Sequence, residues 1–293
     1  MPDIALRFHK DMLVLSAPVD TALARQGVDV EKDREFLSLI EPDMIRDAYY
    51  LEQVAGAQCM VTNTAGITRA RLAYTNMEER DFELATASVT IVTSLKPQHV
   101  LVEIGPTGLP LDASSAPSLK QNRDQYAQAV RAFGSDGYDA VFLNGMQRRV
   151  DMQCALMGVR KQSDAVIVAS IDLDCPSGVS QADLPQVLSM MEEYGASVVG
   201  FETGAPLDEV IALCSSCREK LSVPMLVQLK VKNINPKQQF ASNDNPYYCP
   251  DVMIEAATRL RGAGVQFLRA SGNATPAYTG ALSIASAGFD TTV

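Results

Sequence analysis

Val265-Gln266-Phe267-Leu268-Arg269-Ala270-Ser271-Gly272-Asn273-Ala274-Thr275-Pro276 is the stretch whose reading decides the fold. A short apolar run ends abruptly in small and polar residues, and Thr275-Pro276 then opens a last helix. That is a strand, a tight turn and a helix N-terminus within one short segment. Glycine lets backbone approach a bound group closely, and the free N–H groups of a new helix face it. Chains that alternate strands with helices keep their chemistry at such strand exits.

Working outward, strand-like apolar runs occur at Met12–Ala17, Cys59–Val61, Val100–Ile104, Ala140–Leu143, Val166–Ile171, Val198–Phe201, Met225–Leu229 and Val265–Leu268. Nearly all are continuous rather than alternating, as parallel strands covered on both faces are. Helical stripes lie between them: Leu184, Val187, Leu188, Met191 and Tyr194; Leu207, Val210, Ile211, Cys214, Cys217 and Leu221; Val252, Ala256 and Leu260. Glu41-Pro42-Asp43 and Cys249-Pro250-Asp251 mark helix starts. Eight strands alternating with helices read as one (β/α)8 TIM barrel over residues 1–293, with a doubly wound open sheet as the alternative. Two polar connections, Gly108–Ser118 and Lys230–Tyr248, follow strands and are candidate lids or ordinary variable loops.

The chain has 293 residues, 47% hydrophobic and 20% charged, enough for a sizeable core. A net charge of -10 argues against a general nucleic-acid binder. No apolar run approaches the roughly 18 residues of a membrane span, and the start lacks a signal-peptide core. Six scattered cysteines form no disulfide framework and fit a reducing cytoplasm.

The strand exits supply the candidate site. They carry Ser16 and Asp20; Thr62, Asn63 and Thr64; Glu103 with Gly105-Pro106-Thr107-Gly108; Asn144; Ser170, Asp172 and Asp174; Glu202 and Thr203; Ser271 and Asn273. Of these, Asp20, Asn63, Thr64, Asn144, Ser170, Thr203, Ser271 and Asn273 are the expected substrate contacts. Glu103 and Glu202 are the catalytic candidates: facing carboxylates could act as acid and base or hold a hard cation, or each could bond a neighbouring loop. Cys214 and Cys217 look like a metal or redox pair but fall inside an apolar stripe, so they read as core, as do Cys59 and Cys154. Cys175 and Cys249 follow strands and read as free loop thiols. His9 and His99 precede strands and belong to the opposite end, which leaves no histidine-based metal site.

Taken in order, these motifs resemble the homocysteine S-methyltransferase family through almost the whole chain. Leu15–Thr21 stands for the family's opening motif, Thr62-Asn63-Thr64 for its second-strand signature and Ile104-Gly105-Pro106-Thr107-Gly108 for its third-strand exit. Gly200–Glu209 falls after strand six, and Thr275-Pro276 closes the eighth-strand motif. The resemblance implies a barrel whose zinc, held by three cysteines, ionises a homocysteine thiol. Here those positions read Thr203, Ser271 and Gly272, and neutral hydroxyls are poor zinc ligands. No bound metal is therefore expected unless Cys175 and Cys249 rebuild a site. Restoring cysteine at 203, 271 and 272 should recreate one if the backbone keeps the family geometry. The family's acid at the fourth-strand exit, which holds the amino-acid end of homocysteine, is here Asn144, and the Asp-Gly of the opening motif is Ser16 and Ala17.

Two functions are compatible with this pattern. One is a methyltransferase component without the zinc site, handling a small-molecule substrate and a methyl group carried by a corrinoid or folate on a separate protein. Here the methionine-synthase-like relatives supply the expectation of a corrinoid-binding partner. The other is an inactive or repurposed barrel that binds a ligand or a partner.

Overall fold

The structure, a computed structural model, describes residues 3–287. Its strands are β1 (Leu13–Val14), β2 (Cys59–Val61), β3 (His99–Ile104), β4 (Ala140–Met146), β5 (Val166–Asp172), β6 (Val198–Thr203), β7 (Met225–Val231) and β8 (Val265–Gly272). They form one eight-stranded sheet in the order β1-β8-β7-β6-β5-β4-β3-β2. Every pairing is parallel, and a bridge between Leu15 and Cys59 joins the two edges. This is the (β/α)8 barrel; the open doubly wound sheet is excluded, because its outer strands would not meet.

The principal outer helices are α1 (Pro42–Val54), α2 (Asp81–Ser94), α3 (Ala116–Phe133), α4 (Arg149–Arg160), α5 (Leu184–Glu193), α6 (Leu207–Arg218), α7 (Val252–Gly262) and α8 (Pro276–Ser286). Short helical turns fill the long segment between β1 and α1. The expected stripes point inward: Leu184, Val187, Leu188 and Met191 are buried, as are Val210, Cys214, Cys217, Ala256 and Leu260. Cys249-Pro250-Asp251 is a turn, and α7 starts at Val252. Ser115 caps α3 by accepting from Ser118 N–H, so the polar connection after β3 ends at Ser115 rather than Ser118.

Alternation along each strand explains where polar groups go. One apolar face gathers Leu13, Leu15, Cys59, Val61, Leu101, Ala140, Phe142, Val168, Val198, Leu226 and Phe267 into a single cluster. Ile4, from the 3-10 turn Ile4–Arg7, and Phe8 pack against it, with Phe8 edge-on to Phe267 at 5.9 Å. The remaining apolar side chains join helices to sheet in two further clusters.

Two steps further along each strand, the lumen face becomes polar. Leu101 gives way to Glu103, Phe142 to Asn144, Val168 to Ser170, Leu226 to Gln228 and Phe267 to Arg269. Several strands therefore run past the apolar runs. Asn144, Asp172, Glu202, Thr203, Lys230 and Ser271 are strand residues, not loop residues. A barrel lumen shelters the backbone ladder whatever the side chain is, so hydropathy underestimates where these strands stop.

Candidate functional site

A cavity of about 380 Å³ opens at the C-terminal ends of the strands. A closed polar ring lies in its wall and floor. Asn144 donates from Nδ2 to Glu103 Oε1 at 2.6 Å and accepts at Oδ1 from Gln228 Nε2 at 2.7 Å. Gln228 Nε2 also reaches Ser170 Oγ at 2.7 Å, and Gln228 Oε1 accepts from an Arg269 guanidinium nitrogen at 3.2 Å. Arg269 completes the ring, 3.6 Å from Glu103 Oε1.

Arg269 is only 2% exposed, so its charge needs compensation on several sides. Its Nε donates to Ser16 O at 2.9 Å, and its guanidinium lies 5.4 Å from the centre of the Phe142 ring. The group is thereby fixed between β8, β1, β7 and β3.

Glu202 occupies a second place in the wall. Ser271 Oγ donates to its Oε1 at 2.6 Å, while Oε2 has no hydrogen-bond partner among the described residues. Burial pushes the carboxyl pKa up, against the opposing pull of Lys230, the Ser271 bond and Arg269. Lys230 is held elsewhere: its Nζ is 3.3 Å from both Asp172 oxygens and 3.7 Å from Asp174. Burial works against the Lys230 charge, but Glu202, Asp172 and Asp174 outweigh it and raise the pKa. On the opposite wall, Arg34 pairs with Asp20 through both guanidinium branches. Arg71 lines the mouth.

Of the expected substrate contacts, Asp20, Asn63, Asn144 and Ser271 line this cavity, together with Glu103 and Glu202. Thr64, Ser170, Thr203 and Asn273 do not. The Thr64 hydroxyl is directed to the β3 backbone, donating to Glu103 O at 2.7 Å. Ser170 lies a layer deeper, behind Gln228. Thr203 has the opposite pleat parity to Glu202 and donates to Asp174 Oδ1 at 3.1 Å. Asn273 is past the turn, where its Nδ2 donates to Lys232 O at 2.6 Å. Asn63 is at the wall but heavily engaged: its Oδ1 accepts from Ser88 Oγ at 2.8 Å and its Nδ2 donates to Arg34 O at 2.9 Å.

The two carboxylates do not form an equivalent pair, because Glu103 is committed to Asn144 and Arg269 whereas Glu202 keeps one oxygen open. Sequence reading missed Arg269, Gln228 and Arg34. The first two were legible as polar residues breaking the apolar side of β8 and β7; Arg34 lies between short helical turns and carries no such signal.

The positions where the family's zinc would need cysteine do not fit that metal. Two are hydroxyls already donating to Asp174 and Glu202. The third, Gly272, sits at φ +63°, and a Cβ there would lie 2.7 Å from Val231 O. The backbone itself thus refuses a side chain at 272, so the cysteine restoration expected from sequence lacks the room it needs. Cys175 and Cys249 sit in separate loops outside the cavity wall, with Cys175 Sγ 3.4 Å from Ser177 Oγ. Among the described residues, no three or more His, Cys, Asp or Glu side chains gather as a metal site.

The homocysteine S-methyltransferase family profile matches residues 13–244. No curated protein matches. Among solved structures, the metallated homocysteine methyltransferase MmuM from Escherichia coli superposes with a TM-score of 0.75 at 17% identity, covering 94% of this chain and 96% of that one. Its apo form gives 0.69 at 17% identity with the same coverage of 94% and 96%. The carboxyl transferase domain of Rhizobium etli pyruvate carboxylase, in a form with pyruvate, gives 0.52 at 11% identity, over 94% of this chain and 47% of that one. At such identities the superpositions speak for the barrel alone.

Proposed function

The chain belongs to the homocysteine S-methyltransferase family, and from that premise we propose a methyltransferase that works on a small molecule in this cavity without the family's thiolate zinc site. The observation that carries the reading is the Ser271–Glu202 contact, 2.6 Å long, where a thiolate ligand would otherwise sit. A carboxylate and a hydroxyl there form a hydrogen-bonding surface, not a soft-metal cage.

The methyl donor in this reading is a corrinoid or folate carried by a separate protein that meets the open end of the barrel. The chain's own part is to hold the acceptor. The ring through Glu103, Asn144, Gln228 and Arg269 is pre-organised, since every member already has its partners and need not reorient on binding. The apolar layer beneath it keeps water from entering from below. All six cysteines are free thiols, which suits a reducing cytoplasm. No helix among the described residues is long and apolar enough to cross a membrane.

The test is turnover with methylcobalamin or methyltetrahydrofolate as donor and a panel of small thiols and amines as acceptors, with and without a chelator. Methyl transfer that survives chelation supports the reading. Transfer abolished by chelator and restored by zinc contradicts it. The commitment of Glu103 to Asn144 and Arg269 favours a second reading, a repurposed ligand-binding barrel, because it removes one half of an acid–base pair. Specific binding of an acceptor with no transfer from any donor would select that one.

A further inference from the structure

Among the charged groups of the cavity wall, Glu202 stands apart. Asp20 is paired with Arg34, and Glu103 is held by Asn144 and lies beside Arg269. Lys230 is bonded to Asp172 and lies near Asp174, and its charge also acts on Glu202 without a hydrogen bond to it. Glu202 is 9% exposed, lines the cavity and keeps Oε2 without a hydrogen-bond partner among the described residues. Oε2 opens to the cavity, and a carboxylate with most of its surface buried gains from a donor there that no described residue supplies.

We infer that Glu202 Oε2 is the recognition point for a protonated amine, so the small molecule held in this cavity presents an ammonium group to the ends of β6 and β8. An ammonium carries both the opposite charge and strong N–H donors, and it forms a charge-assisted bond of the kind that repays burial. A thiol does neither. Its S–H is a weak donor, and a neighbouring carboxylate holds it in the neutral, poorly nucleophilic form. Asn144, at the end of β4, is neutral and already bonded on both sides. The amine-binding charge of this cavity is therefore at β6. Burial raises the Glu202 pKa against the pull of Lys230, the Ser271 bond and Arg269, and a bound ammonium would lower it again.

This assignment deepens the methyl-transfer reading by naming the acceptor class, yet its test does not depend on turnover. The full chain is titrated calorimetrically with n-butylammonium and with n-butanethiol, which match in length and differ only at the head group. The expected result is at least ten-fold tighter binding of the amine. Glu202→Gln, which can still accept from Ser271, should abolish that preference, and Glu202→Asp should retain part of it. Equal or tighter binding of the thiol overturns the assignment, as does absence of amine binding or a preference that persists in Glu202→Gln. An amine preference that depends on Glu202, with no methyl transfer from any donor, would leave the assignment standing and remove the methyltransferase reading.

Discussion

At the N-terminal ends of the strands, Ile4 and Phe8 close the lumen against Phe267, and the apolar cluster continues through Leu13, Leu101, Ala140 and Leu226. At the C-terminal ends the same inward rows continue as Glu103, Asn144, Gln228 and Arg269 and surround a cavity. One end is held by close packing, which is non-directional and tolerant of small shifts. The other is held by hydrogen bonds and buried charge, where the loss of one member leaves its partners unsatisfied. The contrast shows how one barrel divides its work: shape is secured below, and chemistry is kept above.

The open end is most vulnerable at Arg269. Arg269→Ala leaves Glu103, Gln228 Oε1 and Ser16 O without their shared donor, and a buried pair broken on one side costs roughly 3–5 kcal/mol. Urea unfolding should show that loss, with much of it recovered when Glu103→Gln is added. A loss below about 1 kcal/mol would mean the ring is solvent-screened rather than buried.

At the closed end Ile4→Ala should cost roughly 2–4 kcal/mol, the usual range for truncating a fully buried aliphatic side chain. The two ends should then separate by ligand. Ile4→Ala is expected to leave amine binding at the open end unchanged, since its effect is on packing alone. A parallel loss of binding would show that the lumen transmits strain from end to end.

A smaller effect sits beside the open end, at Glu52 of α1. Its Oε2 accepts from Ala17 N–H at 2.9 Å and from Thr279 Oγ1 at 2.6 Å. Burial pushes this carboxyl up to about 7, against the Thr279 and Ala17 bonds and Arg269. The native state therefore keeps a proton that the unfolded chain releases near its ordinary value of 4.5. The stability this brings is complete below that value and is lost as pH rises to about 7. Glu52→Gln should flatten the decline and gain roughly 1–3 kcal/mol at pH 8, read from melts across the range. A variant with an unchanged pH slope would show that the carboxyl is charged in the folded protein.

How much of this was legible in sequence follows from the same contrast. The eight apolar runs fell on the eight strands, because a covered parallel strand must be apolar on both faces. The helical stripes, including Cys214 and Cys217, were legible for a similar reason. The strand ends were not. Lys230 and Ser271 look like loop residues by hydropathy but remain in the ladder, since the lumen supplies partners that local sequence does not announce. Parity would have helped: counting by twos from Phe267 reaches Arg269 and Ser271, and from Val198 it reaches Glu202, while Thr203 falls on the other face. The space denied to a side chain at Gly272 was beyond sequence, because it depends on Val231 O from the neighbouring strand.

Metal analysis of protein expressed in zinc-replete medium and passed through a weak chelating resin decides whether this methyltransferase-family cavity lacks thiolate zinc. Thr203 and Ser271 direct their hydroxyls to Asp174 and Glu202, and Gly272 has neither a side chain nor room for one. Folded protein should hold zinc well below one equivalent per chain. One tightly held zinc per chain would contradict it.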